Sequence, residues 1–184
     1  MRKIVLSLAF CITMMFSSCQ SYTVGVQDII DYETKDNYKV DIKWSKEVEL
    51  FGAKIIEHKY DSFSGTIKFA APVYKIGEYA FYDSNLKWIV LPEHVETIEA
   101  GAFMSCEQLY KITLPASLKK IESGAFDFCY DLCYVTCEAT TPPTIPEGLF
   151  DDTYYYFEIY VPYSSVAKYK AADGWKKYAD RITY

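Results

Sequence analysis

Few residues in this chain could do chemistry. Histidine occurs twice, as His58 and His94, and cysteine six times, at positions 11, 19, 106, 129, 133 and 137. Neither histidine belongs to His-Glu-x-x-His, no serine stands in Gly-x-Ser-x-Gly, and there is no glycine-rich phosphate loop. A nucleophile, a base and a group to orient them cannot be assembled from the linear sequence, so catalysis is not expected. Cys129, Cys133 and Cys137 are spaced by four, whereas a zinc site wants a Cys-x-x-Cys pair and a fourth ligand. Asp31, Glu33 and Asp36 hint at a calcium loop, but the register fails, because Lys35 and Asp36 stand where a ligand and the obligatory Gly belong. A solvated acidic loop is the expectation there. No metal or other cofactor is expected.

Cys19 carries a different chemistry. Met1-Arg2-Lys3 is basic, and Ile4 to Phe16 is almost wholly apolar. Those 13 residues are too few to cross a bilayer, which takes about 20. They fit a secretory signal over residues 1–18. Ser17-Ser18-Cys19 resembles a bacterial lipobox, with Cys19 as the acylated first residue of the mature protein and Phe16 in place of the usual Leu. Diacylglycerol plus an amide-linked acyl chain would supply the more than one buried chain that stable anchoring needs. Ordinary cleavage near Ser18, giving a soluble secreted protein, is the alternative. Either way export is expected, to the cell surface or the periplasmic face of the outer membrane if anchored. Residues 19–37 then read as a tether. The formal net charge is −6, with no basic patch, so nucleic acid is not an expected partner.

The remaining chain repeats itself. Ile76-Gly-Glu-Tyr-Ala80-Phe81 returns as Ile98-Glu-Ala-Gly-Ala102-Phe103 and Ile121-Glu-Ser-Gly-Ala125-Phe126, at periods of 22 and 23 residues. A fourth copy is Ile145-Pro-Glu-Gly-Leu149-Phe150. A second phrase aligns on Ile67, Ile89, Ile112, Val135 and Ile159, with Pro92, Pro115 and Pro162 ending three of its copies. Such a period predicts a stacked repeat architecture, a solenoid. In Trp88-Ile89-Val90-Leu91 the alternation puts Ile89 and Leu91 inside and Trp88 and Val90 outside. The Gly before Ala-Phe supports a tight bend, and the Phe plugs the interior. Cys106 and Cys129 share one repeat position, expected to be a buried ladder of free thiols whose small polar group meets backbone. Their disulfide is within reach, as is one from Cys133.

The flanks are expected to close the stack. Tyr38 to Trp44 alternates strictly, Glu47 to Phe51 reads as a second strand, and Ala53 to Tyr60 as a further strand or a poor helix. Together residues 38–61 form the expected N-terminal β cap. Ser164-Ser165 can cap a helix from Val166, with Gly174 at its end and Trp175, Tyr178 and Ile182 continuing an amphipathic pattern; residues 164–184 form the expected C-terminal helical cap.

Ile-Glu-x-Gly-Ala-Phe-x-x-Cys-x-x-Leu-x-x-Ile-x-Leu-Pro, as it stands in residues 98–115 and partly in 121–135, resembles the BspA-like leucine-rich repeats of bacterial surface proteins. The run from Pro142-Pro143-Thr144 to Trp175 resembles the ending of gut Bacteroides members, and the resemblance covers residues 62–184. It implies a mostly β fold with short turns and 3-10 segments. The architecture would be a right-handed leucine-rich-repeat solenoid of about four repeats over residues 62–163. It also implies a non-enzymatic, surface-anchored protein engaged in adhesion to host matrix or other cells.

Binding would then use the outward strand face. Its expected columns are Trp88, Lys111, Tyr134 and Glu158, and beside them Lys68, Val90, Thr113, Thr136 and Tyr160. Trp88, Lys111, Tyr134, Glu158 and Tyr160 are the candidate ligand-binding residues, since aromatics interleaved with polar groups suit recognition. The partner is a protein or a glycan on host or neighbouring cells; ordinary cross-strand pairing on a solvated sheet is the competing account of the same residues.

Overall fold

The computed structural model describes residues 28–36, 39–40 and 47–184. The signal segment, Cys19 and most of the expected strand from Tyr38 to Trp44 lie outside the described residues. Among the described residues the regular elements are mostly strands, with few short helices. In order it forms β1 Ile29–Thr34, α1 Glu47–Phe51, β2 Ile55–Asp61, β3 Ser64–Phe69, β4 Lys75–Ile76, β5 Leu86–Val90 and β6 Thr97–Ile98. Then come β7 Lys111–Leu114, β8 Lys120–Ile121, β9 Tyr134–Cys137, β10 Glu158–Tyr160, α2 Val166–Ala171 and β11 Ile182–Thr183. One sheet has eight strands in the order β11-β10-β9-β7-β5-β1-β3-β2, and another has three, β4-β6-β8.

The repeated phrases become sheet register. Ile89, Ile112, Val135 and Ile159 sit side by side in parallel pairing, all buried. Ile76, Ile98 and Ile121 do the same in the small sheet, and Thr144 extends it by a bridge to Lys120. Between the sheets the turns also pair with one another. Phe81 and Phe103 donate their backbone N–H to Ala102 and Ala125 of the next unit, at 2.8 and 2.9 Å. The Cys106 and Cys129 thiols donate to the Phe81 and Phe103 carbonyls at 3.0 and 3.2 Å. Burial raises the Cys106 thiol to about 11 and pushes that of Cys129 up as well, so both stay protonated donors. Phe81, Phe103, Phe126 and Phe150 stack down the interior with ring centroids 5.3, 5.4 and 5.4 Å apart. The bend before each Phe is left-handed, with φ of +62° at Gly101 and +70° at Gly124, which glycine adopts without a Cβ clash.

Several expectations change. Residues 29–34 are strand, not tether and not acidic loop. β1 lies antiparallel between β3 and β5, pairing Ile30 with Ile67 and Tyr32 with Ile89. Ile67 is therefore not the direct neighbour of Ile89, and Lys68 stands beside Ile29 rather than Val90. The cause is alternation: Ile30, Tyr32 and Thr34 are buried, while Asp31 and Glu33 lie on the solvent face. Those two acids are paired there. Asp31 accepts from the Thr66 hydroxyl at 3.0 Å, and Glu33 accepts from Lys87 and from the Trp88 indole N–H.

Glu47–Phe51 is helical rather than a strand. A strand would send Leu50 and Phe51 to opposite faces, whereas one helical turn buries both. Phe51 then joins Phe69 and Phe81, with centroids at 5.1 and 5.9 Å. Gly52, at φ +69°, ends the turn. β2 forms a hairpin with β3 through Ser62 and Phe63, and is the outermost strand of the large sheet.

At the other end α2 and a 3-10 segment, Trp175–Arg181, bury Tyr169, Trp175 and Tyr178. The Trp175 indole donates to the Pro143 carbonyl at 2.7 Å, and the Tyr169 hydroxyl to Ala139 at 2.8 Å. Ser165 stands at the helix start, but its hydroxyl goes to the Thr140 carbonyl rather than capping. Ile182 is not helical; it continues the parallel row beside Ile159.

Candidate binding face

The outward face of the large sheet divides into a closed half and an open half. Trp88, Lys111, Tyr134 and Glu158 stand shoulder to shoulder in one row across β5, β7, β9 and β10. The next row carries Val90, Thr113, Thr136 and Tyr160. Tyr160 returns to the first row by donating its hydroxyl to Glu158 at 2.5 Å, which raises the Tyr160 pKa because the anion loses that bond.

On the β2–β3–β1–β5 side the charges satisfy one another. Glu57 holds Lys59 and Lys68 at 2.7 and 2.8 Å. Lys87 and Trp88 hold the Glu33 carboxyl below the usual carboxylate range. Trp88 thus has its one polar handle engaged with β1.

The β9–β10 side is different. Tyr110, Asp131, Cys133, Tyr134, Tyr154, Tyr156 and Glu158 line a groove of about 520 Å³. Parallel register brings the residues leading into β7, β9 and β10 together: Tyr134 N–H donates to the Tyr110 carbonyl at 3.1 Å, and Glu158 N–H to Cys133 at 2.8 Å. The Tyr110 and Tyr134 rings meet edge to face at 5.2 Å, and a hydroxyl contact between them raises the Tyr110 pKa. Burial pushes the half-buried Cys133 thiol up, and Asp131 adds to it, so this thiol is protonated too.

The wall contributed by the fourth unit arises from a slip in the repeat. Leu86, Leu109 and Leu132 lie three residues before Ile89, Ile112 and Val135 and are buried. The residue three before Ile159 is Tyr156, which is 71% exposed, and Phe157 takes the buried place one step later. Tyr154, Tyr155 and Tyr156 are thereby exposed, Tyr154 and Tyr156 lining the groove and Tyr155 a neighbouring pocket. Sequence reasoning placed Tyr134 and Glu158 but missed Tyr110, Asp131, Tyr154 and Tyr156. The signal available was the polar-tipped Tyr156 where the repeat demands Leu.

Neither histidine enters this face. His58 faces inward on β2, its Nε2 2.7 Å from the Tyr32 hydroxyl. His94 Nδ1 lies 2.8 Å from the buried Asp28 carboxylate, which also accepts the Val73 N–H at 2.7 Å. Among the described residues no three His, Cys, Asp or Glu side chains cluster as metal ligands.

In-register parallel strands, turns that bond to one another and an interior Phe column define a protein of the leucine-rich-repeat type. The family model of the BspA type leucine rich repeat region (6 copies) matches residues 58–171, more than half of the chain, and the chain belongs to that family. No curated protein matches it. Repeats of this class generally mediate protein–protein interaction and are typically non-catalytic.

Proposed function

We propose that this is an exported, envelope-anchored, non-catalytic adhesion protein that binds a protein partner on host or neighbouring cells. Its stacked units would form a right-handed solenoid of about four repeats with both ends covered, presented by acylated Cys19. The observation that carries this reading is the open half of the outward sheet face. There Lys111, Tyr134, Glu158 and Tyr160 stand in adjacent rows beside the tyrosine-lined groove, and their own contacts are among tyrosines and Glu158, whereas the β1 side pairs lysines with carboxylates. Tyrosine is enriched at protein interfaces because one ring gives both apolar area and a hydrogen-bonding tip.

A photo-crosslinking residue at Thr136, inside this face, should label a defined protein in extracts of host matrix or neighbouring cells. One at Thr97, on the small sheet, should not. Equal labelling from both positions would count against the reading. Labelled fatty acid should enter the full chain and be lost in Cys19→Ala; unchanged labelling would remove the anchor.

A glycan-binding accessory role is the second reading. It is favoured by Tyr155 and Tyr156, which are 73% and 71% exposed. Binding on a glycan array without any crosslinked protein would select it.

A further inference from the structure

Resting on the proposal that this face binds protein, we infer that the tyrosine-lined groove at its β9–β10 end takes a cationic side chain, arginine above lysine, from the partner. Among the described residues the lining holds two carboxylates, Asp131 and Glu158, the latter also accepting the Tyr160 hydroxyl, and no cation. Four phenol rings complete it. An aromatic face carries negative charge density, so rings and carboxylates together favour a cation and repel an anion.

The cations nearby leave that balance intact. Lys35 reaches Asp131 only at 3.8 Å, with both side chains more than half exposed, a pairing an incoming guanidinium can replace. Lys111 is Tyr134's neighbour in the row but does not line the groove.

Ring geometry separates a cation from a sugar. Tyr110 and Tyr134 meet at 79°, and Tyr154 and Tyr156 at 57°. Such rings make the walls of a box rather than the flat platform on which a pyranose stacks. A neighbouring pocket, lined by Tyr155, Phe157 and Arg181, already holds an arginine against aromatic rings. The Arg181 guanidinium carbon lies 5.6 Å from the Tyr155 ring centre and 5.1 Å from that of Phe157. Arginine is preferred because its planar fork stacks on rings and can meet a carboxylate with two N–H groups.

The test is an NMR titration of the full chain with a capped Gly-Ser-Arg-Ser-Gly peptide and its citrulline counterpart, which keeps the shape and loses the charge. The arginine peptide should shift Tyr134, Cys133 and Glu158 resonances saturably in the millimolar range. The citrulline peptide should bind about fivefold more weakly or worse. Asp131→Asn combined with Glu158→Gln should abolish that difference, and Tyr156→Ser should weaken the arginine peptide alone. All three changes are on the surface, and an unchanged spectrum elsewhere certifies the fold. Equal binding of the two peptides overturns the inference. So do shifts away from the groove, or groove shifts with a chitin oligosaccharide but not with arginine. If a crosslinked partner binds the double carboxamide variant undiminished, the inference falls and the adhesion reading stands. If arginine binds in the groove and no partner is ever labelled, the adhesion reading falls instead.

Discussion

Tyr32 lies across Gly65 so closely that a Cβ at position 65 would sit 2.0 Å from the ring carbon bearing the Tyr32 hydroxyl. Gly65 pairs with Tyr32 on one side and Tyr60 on the other, and the two rings stack over it at 6.3 Å. The glycine, weak in a strand by itself, is here the floor that lets β1 dock. Gly65→Ala should cost about 2 kcal/mol or more, read from urea melts, because backbone beneath a stacked ring cannot yield. Tyr32→Leu in the same chain should recover part of the loss. Full stability in Gly65→Ala alone would refute this packing.

The phenylalanine column should carry core stability. Phe103, fully buried between Phe81 and Phe126, should cost about 3–5 kcal/mol on truncation to Ala. Phe63, 49% exposed at the hairpin turn, should stay within about 0.5 kcal/mol under the same change. Thermal or denaturant melts of the pair decide it; equal effects would mean that the column is not the core.

The thiols differ in reach. Cys106, Cys129 and Cys137 are buried, and Cys133 is half-buried beside the groove. Alkylation of the native protein followed by peptide mapping should modify Cys133 and spare those three, with the rate rising as pH increases from 7 to 9 because the thiolate is the nucleophile. A Cys106–Cys129 disulfide peptide would contradict the thiol-to-carbonyl ladder.

His58 makes stability depend on pH. Burial lowers its pKa from 6.5 to about 4, and the Lys39 ammonium adds to the shift. Between those values the unfolded chain binds the proton and the folded chain does not. The contribution of the neutral ring is therefore complete above pH 6.5 and is lost as the pH falls toward 4. Discounted for half-burial, the loss is about 1–2 kcal/mol. His58→Gln keeps a partner for the Tyr32 hydroxyl and does not titrate, so its melts should fall less steeply than the wild type between pH 7 and 4.5. Parallel curves would remove His58 as the cause.

The repeats themselves were legible. A recurring Ile, Gly-Ala-Phe and Ile-x-Leu-Pro pattern is local, and stacking identical units leaves one way to align Ile89, Ile112, Val135 and Ile159. The shared position of Cys106 and Cys129 likewise foretold thiols meeting backbone. The row from Trp88 to Glu158 followed from the same register.

Events with a non-local partner were decided only in three dimensions. Ile29–Thr34 alternates like any strand, yet nothing in those six residues says that they slot antiparallel between β3 and β5; the two edges they satisfy lie some thirty to sixty residues away. Glu47–Phe51 turns helical because the waiting core takes Leu50 and Phe51 at once. The groove exists because Phe157 rather than Tyr156 fills the place of the repeat's Leu, a one-residue slip that leaves Tyr154 and Tyr156 beside Asp131 and Glu158. Sequence alone determined the period and the inward set, since these are properties of one unit. Tertiary structure decided which edge is covered and which side chains converge, since these depend on free energy gained only when distant units meet.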